Sequence, residues 1–153
     1  MSESAPIAAV GIVCFRDDEI LLIRRGKPPF EDRWSLPGGR IAWGERAQDA
    51  ALRELMEETG CEAELIGLVD VVDAIMTRRD GEPGAPPWGH YVLIDYAARW
   101  RSGEPRPGDD AQEARFFSQD EISTLGLWEE TLRVITDARR LIAAWVTARL
   151  PSG

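Results

Sequence analysis

Apolar and polar positions alternate in short blocks along the first part of the chain. Residues 8–15 and 20–24 are apolar runs joined by Arg16-Asp17-Asp18-Glu19, and this arrangement predicts a β-hairpin. Blocks rich in valine, leucine and isoleucine recur farther along, as is typical of strands. The further predicted strands are a short extended piece at residues 34–36 and strands at residues 64–75, 91–100 and 114–117.

A helical period marks three other segments. Leu52, Leu55, Met56 and Thr59 have the spacing of a core-facing helical stripe. Ser118-x-x-Glu121 matches a capping box and predicts a brief helix. Because the chain predicts strands with two main helices on different faces, we expect an α/β fold, an α/β/α sandwich. A long C-terminal helix is the third predicted segment, and both of its tryptophans are expected in the core. Its stripe consists of Trp128, Leu132, Ile135, Ala138, Ile142, Trp145 and Arg149.

Glycine and proline mark the loops between these elements. Residues 26–33 hold two prolines, residues 80–89 hold three prolines and three glycines, and residues 102–110 form another such loop. The sequence shows no internal repeat and no low-complexity linker. We therefore expect a single domain over residues 1–153, with residues 1–6 as a flexible N-terminus.

Composition narrows the class of protein. The chain has 153 residues, 44% hydrophobic and 29% charged, as in an ordinary globular domain. Its net charge of −9 argues against a nucleic-acid polymer as partner, because polyanion binding needs a basic surface. No leader-like or membrane-spanning run is evident, so we expect no membrane contact and a cytoplasmic location. Cys14 and Cys61 lie in apolar stretches and are expected to be buried, reduced thiols.

The most specific feature is the pattern Gly39-x5-Glu45-x7-Arg53-Glu54-Leu55-x-Glu57-Glu58-x-Gly60-Cys61. Residues three and four apart share a helix face, so the carboxylates of Glu54, Glu57 and Glu58 crowd together and repel. A hard divalent cation would remove this repulsion, since such ions prefer carboxylate oxygens. Arg53 stands four residues before Glu57 and can hold its carboxylate in place. Gly60 has the position of a left-handed helix C-cap.

This pattern resembles the Nudix box, the signature of hydrolases that cleave nucleoside diphosphates linked to another group. The resemblance implies a mixed sheet between helices and a site for Mg²⁺ or Mn²⁺. It also implies that the metal ligands are the Gly39 carbonyl and the side chains of Glu54, Glu57 and Glu58. All box glutamates are present, which disfavours a nucleotide-sensing module that binds without cleaving.

Candidates outside the box are acidic, basic and aromatic. Members of the family often have a further carboxylate, a metal ligand or general base, just before a strand late in the chain. Here the predicted strand at residues 114–117 is preceded by Glu113, which is the best match, and by Asp109 and Asp110. Which carboxylate is the base stays open among Glu54, Glu58 and Glu113. The candidate substrate contacts are Arg24, Arg25 and Arg40, which can bind phosphate, and Trp34, on which a base can stack.

The expected reaction is metal-dependent attack of water on a pyrophosphate linkage, with ADP-ribose or another nucleotide sugar as substrate. A nucleoside triphosphate pyrophosphohydrolase of the sanitising type is the alternative. ADP-ribose hydrolases of the family often carry a proline shortly after the box, whereas residues 62–80 hold none. With one histidine, His90, a catalytic triad is disfavoured. The sequence does not identify the nucleotide, and it leaves open a homodimer and the number of metal ions.

Overall fold

A computed structural model describes residues 4–78 and 81–151. The predicted hairpin is present as β1 (Ile7–Arg16) and β2 (Glu19–Arg25). The remaining elements, in chain order, are β3 (Trp34–Ser35), β4 (Gly38–Arg40), α1 (Ala47–Thr59), β5 (Glu62–Met76), β6 (Gly89–Ser102), β7 (Ala111–Phe117), α2 (Gln119–Ile122) and α3 (Glu129–Arg149). Of the three helices, α1 is the box helix, α2 follows the capping box and α3 is the C-terminal helix.

The seven strands form one mixed sheet. Its main order is β3-β2-β1-β6-β5, and β4 pairs with β1 while β7 pairs with β2. Only the β1–β6 pair is parallel among the strand pairs of the described residues. β4 and β6 therefore flank β1, so the loop that leads into α1 is fixed at the centre of the sheet.

The two long helices cover opposite faces of this sheet. Successive residues of a strand point to opposite faces, and β1 is buried on both. Ile12 and Cys14 pack in a cluster with Leu55 of α1, whereas Val13 and Phe15 pack with Val134 and Ile135 of α3. The predicted α/β/α sandwich is thus confirmed.

Some predicted core positions are wrong. Trp128 is 48% exposed because it lies one residue before α3 begins, and Leu132 is 38% exposed. Val134 is buried in place of Leu132, so the buried stripe of α3 is rotated from the predicted one. Met56 is 42% exposed as well, because α1 approaches the sheet through its small residues Ala50 and Ala51 and through Leu55 and Thr59.

Other sequence predictions have mixed outcomes. Cys14 and Cys61 are free and buried, as expected. β7 begins at Ala111, three residues before the predicted start. Asp80 and residues 1–3 lie outside the described part of the chain, so the expected loop and N-terminus are described only in part. No helix among the described residues is long and apolar enough to span a membrane.

Candidate active site

Box residues lie near both ends of the box helix α1. Glu45 lies two residues before the helix, and its Oε1 accepts a hydrogen bond from the Ala42 N–H at 3.0 Å. At the other end Gly60 has φ 72°, the left-handed conformation expected of a C-cap, and its N–H donates to the Met56 carbonyl at 2.9 Å. Gly60 therefore ends the helix two residues after Glu58, the last of its carboxylates.

Arg53 joins the acidic side chains of the site. Its Nε and Nη2 donate to the two oxygens of Glu45 at 2.7 and 2.9 Å. Its Nη1 donates to Glu54 and to Glu57, each at 3.0 Å, so the expected Arg53–Glu57 pair is present. Nη2 also donates to the Arg40 carbonyl at 3.1 Å, which ties the helix to β4. The hydrogen bonds from Arg53 and Ala42 lower the pKa of Glu45 to about 2.

Two glycines of the preceding loop accommodate two box carboxylates. The Gly38 N–H donates to Glu58 Oε1 at 2.7 Å. A side chain at Gly39 would lie 2.5–2.7 Å from the carboxylate of Glu54 and would have to displace it. Glu58 is 6% exposed, and burial raises its pKa to about 8 although the Gly38 hydrogen bond opposes the shift. Burial also raises the pKa of Glu54.

The carboxylates of Glu54 and Glu57 form a group with Asp109. One oxygen of each lies within 4.8 Å of the others, which a divalent cation requires. Asp109 is brought there by the loop that follows β6. This loop packs on the end of α1, where the N–H groups of Arg106 and Gly108 donate to the carbonyls of Thr59 and Glu58 at 3.0 and 3.1 Å.

The structure does not bring Glu113 into this group. Glu113 lies in β7 opposite Arg24 of β2, and Arg24 Nη2 donates to Glu113 Oε1 at 2.8 Å. Asp110 is paired with Lys27 at 2.6 Å. The sequence shows three acids close together, and only the path of the loop over α1 distinguishes Asp109 from the other two.

The predicted substrate contacts differ in their surroundings. Arg24 is engaged by Glu113 and by Asp32 at 3.6 Å. Arg25 donates from Nε to the Pro29 carbonyl at 2.9 Å, and its charge acts to lower the pKa of Glu58, so it is near the site. Trp34 packs edge-on against Phe117 with ring centroids 4.7 Å apart, inside the cluster under α3. Arg40 is exposed, and its Nη2 lies 3.5 Å from Tyr91 Oη.

Comparisons with known proteins agree with this arrangement. The family model described as a NUDIX domain matches residues 5–138. An ADP-ribose pyrophosphatase of Methanocaldococcus jannaschii is 34% identical over 135 residues, which cover 88% of this chain and 74% of that protein. A MutT NUDIX hydrolase structure from Burkholderia pseudomallei is 31% identical, covers 88% of this chain and 98% of its own, and has a TM-score of 0.74.

A further solved structure shows the likeness of the fold alone. The NUDIX domain of Shewanella oneidensis NrtR, a cocrystal with ADP ribose, is 22% identical. The match covers 92% of this chain and 90% of that one, with a TM-score of 0.74.

Proposed function

The chain belongs to the Nudix family and is a Nudix pyrophosphohydrolase, and we propose that its substrate is ADP-ribose or a related nucleotide sugar. The observation that carries the proposal is the likeness to the ADP-ribose pyrophosphatase over 88% of the chain. The complete set of box carboxylates supports turnover rather than binding alone, with three of them bound by Arg53 and Glu58 bound by the Gly38 N–H.

We propose that the cation is Mg²⁺ or Mn²⁺. The donor set fits such an ion, since Glu54, Glu57 and Asp109 offer hard oxygen ligands within 4.8 Å of one another. The resemblance adds the Gly39 carbonyl as a further ligand, whereas ligand and base are alternative roles for Glu58. When bound there, the ion would neutralise the diphosphate oxygens and lower the pKa of the attacking water.

The side chains of the chain have separate proposed roles. Arg53 is a positioning residue, because it holds Glu54 and Glu57 side by side through Nη1. Glu58 is the proposed base, because it lies outside the Glu54–Glu57–Asp109 group and is fixed beside it by the Gly38 N–H. Arg25 and Arg40 are the proposed phosphate contacts, while Arg24 is already engaged by two carboxylates.

The reaction is a hydrolysis without a covalent enzyme intermediate. The oxygen of one water bonds to a phosphorus of ADP-ribose, the bridging P–O bond breaks, and the water proton passes to Glu58. The products are AMP and ribose 5-phosphate. Positioning and charge stabilisation supply the rate, as in other phosphoryl transfers.

A substrate panel tests this proposal. With Mg²⁺ present, the purified protein should convert ADP-ribose to AMP and ribose 5-phosphate, both measured by chromatography, and EDTA should stop the reaction. Absence of turnover across nucleotide sugars, dinucleoside polyphosphates and NADH, with nucleotide binding retained, would instead indicate the sensing module.

The sanitising triphosphatase remains the second candidate because residues 62–80 lack the proline common in ADP-ribose hydrolases of the family. It would release pyrophosphate together with a nucleoside monophosphate. Pyrophosphate measured with oxidised and ordinary nucleoside triphosphates therefore separates the two activities.

A further inference from the structure

Two aromatic side chains from loops far apart in the sequence meet at the surface of the molecule. Phe30 lies in the loop between β2 and β3, and Trp88 lies in the loop that leads into β6. Their ring centroids are 6.3 Å apart and their planes are inclined by 46°. Phe30 is 46% exposed and Trp88 is 48% exposed, so the pair is not part of the core. Exposed apolar groups that gather in one place mark a site for a ligand or a partner.

The loop of Phe30 is attached to the candidate active site where it leaves β2. The Gly26 N–H donates to the carbonyl of Asp110 at 2.7 Å, and Asp110 directly follows Asp109 of the acidic group. A side chain at Gly26 would lie 2.7 Å from the same carbonyl, so the two segments are in close contact. The loop of Phe30 therefore begins beside the proposed metal site.

Arg25 gives a second link between Phe30 and the site. Its Nε donates to the carbonyl of Pro29, the residue before Phe30, at 2.9 Å. By the covalent distances of the chain, the ring of Phe30 is within about 10 Å of this Nε. The charge of the same guanidinium acts to lower the pKa of Glu58. One side chain thus lies between the box helix and the aromatic pair.

Both rings are carried by backbone that is fixed by hydrogen bonds. The Trp88 N–H donates to the Met76 carbonyl at 2.9 Å, where β5 ends and β6 begins. The Arg33 N–H donates to the Phe30 carbonyl at 3.3 Å, and the Arg25 N–H donates to the Arg33 carbonyl at 2.9 Å. Phe30 has φ 64°, a left-handed conformation that is unfavourable for a residue with a Cβ. Such strain is concentrated at functional sites, including ligand clamps.

Of the two rings, Trp88 is the more accessible to a third ring. The guanidinium carbon of Arg33 lies 5.2 Å from the centroid of the Phe30 ring and covers that ring. Within residues 4–78 and 81–151, no guanidinium lies over Trp88. The two rings are inclined rather than stacked, and about half of the Trp88 side chain is exposed. A flat ring can therefore stack on Trp88 and meet Phe30 with its edge.

We propose that Trp88, with Phe30 beside it, stacks on the nucleobase of the substrate. The inference rests on the proposed function, since it assumes a nucleotide whose diphosphate lies at Glu54 and Glu57. Stacking on an aromatic ring contributes to affinity without reading the hydrogen-bonding groups of the base. The site therefore accepts nucleoside diphosphate derivatives that differ in their base, and it binds them more tightly than sugar phosphates that lack a base.

Binding of the two proposed products, AMP and ribose 5-phosphate, measures the contribution of the base. Titration calorimetry with Mg²⁺ present should show that the wild-type protein binds AMP more tightly. Trp88→Ala should weaken AMP binding by about 5- to 150-fold, the effect of removing one stacking ring, and leave ribose 5-phosphate binding unchanged. GMP should lose affinity by a similar factor, because stacking does not distinguish the bases. An undiminished AMP affinity in Trp88→Ala would overturn the inference.

Two variants control for the ring and for the exposure of the side chain. Trp88→Phe keeps an aromatic face and should retain most of the AMP affinity. Trp128→Ala removes another tryptophan that is 48% exposed, just before α3, and should leave the AMP affinity unchanged. Trp88→Leu replaces Trp88→Ala if the latter does not fold. Equal losses of AMP affinity in Trp88→Ala and Trp128→Ala would contradict the assignment to Trp88.

Hydrolysis and oligomeric state separate this inference from the alternatives. AMP binding that depends on Trp88, without ADP-ribose hydrolysis by the wild-type protein, would contradict the proposed reaction alone. ADP-ribose hydrolysis with an unchanged KM in Trp88→Ala would contradict the role of Trp88 alone. If size-exclusion chromatography shows a wild-type dimer that becomes a monomer in Trp88→Ala with its AMP affinity kept, the aromatic pair is a contact between two copies and the inference is overturned.

Discussion

Two adjacent carboxylates of α1 have different surroundings, and we therefore propose different roles for them in the reaction. Glu57 is half-exposed and accepts a hydrogen bond from Arg53 Nη1 at 3.0 Å. Glu58, the next residue, is buried and is held by the Gly38 N–H. A residue that mainly binds an ion and a residue that mainly takes a proton should respond differently to the supply of metal.

Glu57→Gln and Glu58→Gln are therefore expected to lose activity in different ways. Glu57→Gln should raise the Mg²⁺ concentration needed for half-maximal rate, and excess Mg²⁺ should recover much of the rate. Glu58→Gln should lower kcat by about 100-fold or more at saturating Mg²⁺, since general base catalysis is worth that much. Rates measured across a Mg²⁺ titration decide between the roles, and recovery of Glu58→Gln by excess metal would make Glu58 a ligand instead.

Asp109 and Glu113 form a second matched pair. Asp109 is grouped with Glu54 and Glu57, whereas Glu113 is 47% exposed and paired with Arg24. Asp109→Asn should weaken Mn²⁺ binding in calorimetry and lower the rate at limiting metal. Glu113→Gln should change kcat by less than about threefold, because an exposed ion pair contributes little. A large loss in Glu113→Gln at saturating metal would restore the role expected for it from the sequence.

At the scale of elements, packing of α1 against the sheet fixes the position of all these carboxylates. Leu55 is fully buried among Ile12, Cys14 and Phe116, while its neighbour Met56 is largely exposed. Leu55→Ala should lower the free energy of unfolding by about 2–5 kcal/mol through a core cavity. Met56→Ala, the control, should change it by less than about 0.5 kcal/mol. Denaturant unfolding measures both, and equal losses would mean that α1 is oriented differently.

The sequence predicted elements well where the local pattern alone determines them. The hairpin of β1 and β2, the ends of α1 and the capping box of α2 each follow from a few adjacent residues. The predicted burial was wrong where contacts distant in sequence determine it, as for Met56, Leu132 and Trp128. The same limit applies to the site, because Asp109 reaches α1 only through the bonds of Arg106 and Gly108 to its last turn.

At the scale of the whole molecule, the mixed sheet brings distant segments into one row. The parallel β1–β6 pair sets Asp95 beside Gly11, and the antiparallel β1–β4 pair sets Gly38 on the other side. Sequence alone marks Asp95 only as the single acid within the apolar run 91–98. Its burial is a consequence of topology, and burying this carboxylate carries a cost in stability that depends on pH.

That cost gives a prediction for the stability of the protein without nucleotide. The pKa of Asp95 is raised from 3.8 to about 6 by burial, so the folded state holds its proton more tightly than the unfolded state. This stabilisation is complete below pH 3.8 and is lost as pH rises through about 6. Asp95→Asn, which stays neutral, should gain stability relative to wild type by up to about 3 kcal/mol between pH 4 and pH 7.

Thermal unfolding in EDTA between pH 4 and pH 7 measures the difference in stability between wild type and Asp95→Asn. The box carboxylates are present in both proteins, so their titration cancels in this difference. Asp70→Asn is the control variant. Asp70 is a nearby acid whose pKa is lowered, because its side chain accepts a hydrogen bond from Arg133. That variant should not gain stability as pH rises. A constant difference between wild type and Asp95→Asn would mean that the Asp95 carboxylate is solvated or paired in solution, and that burial does not shift its pKa.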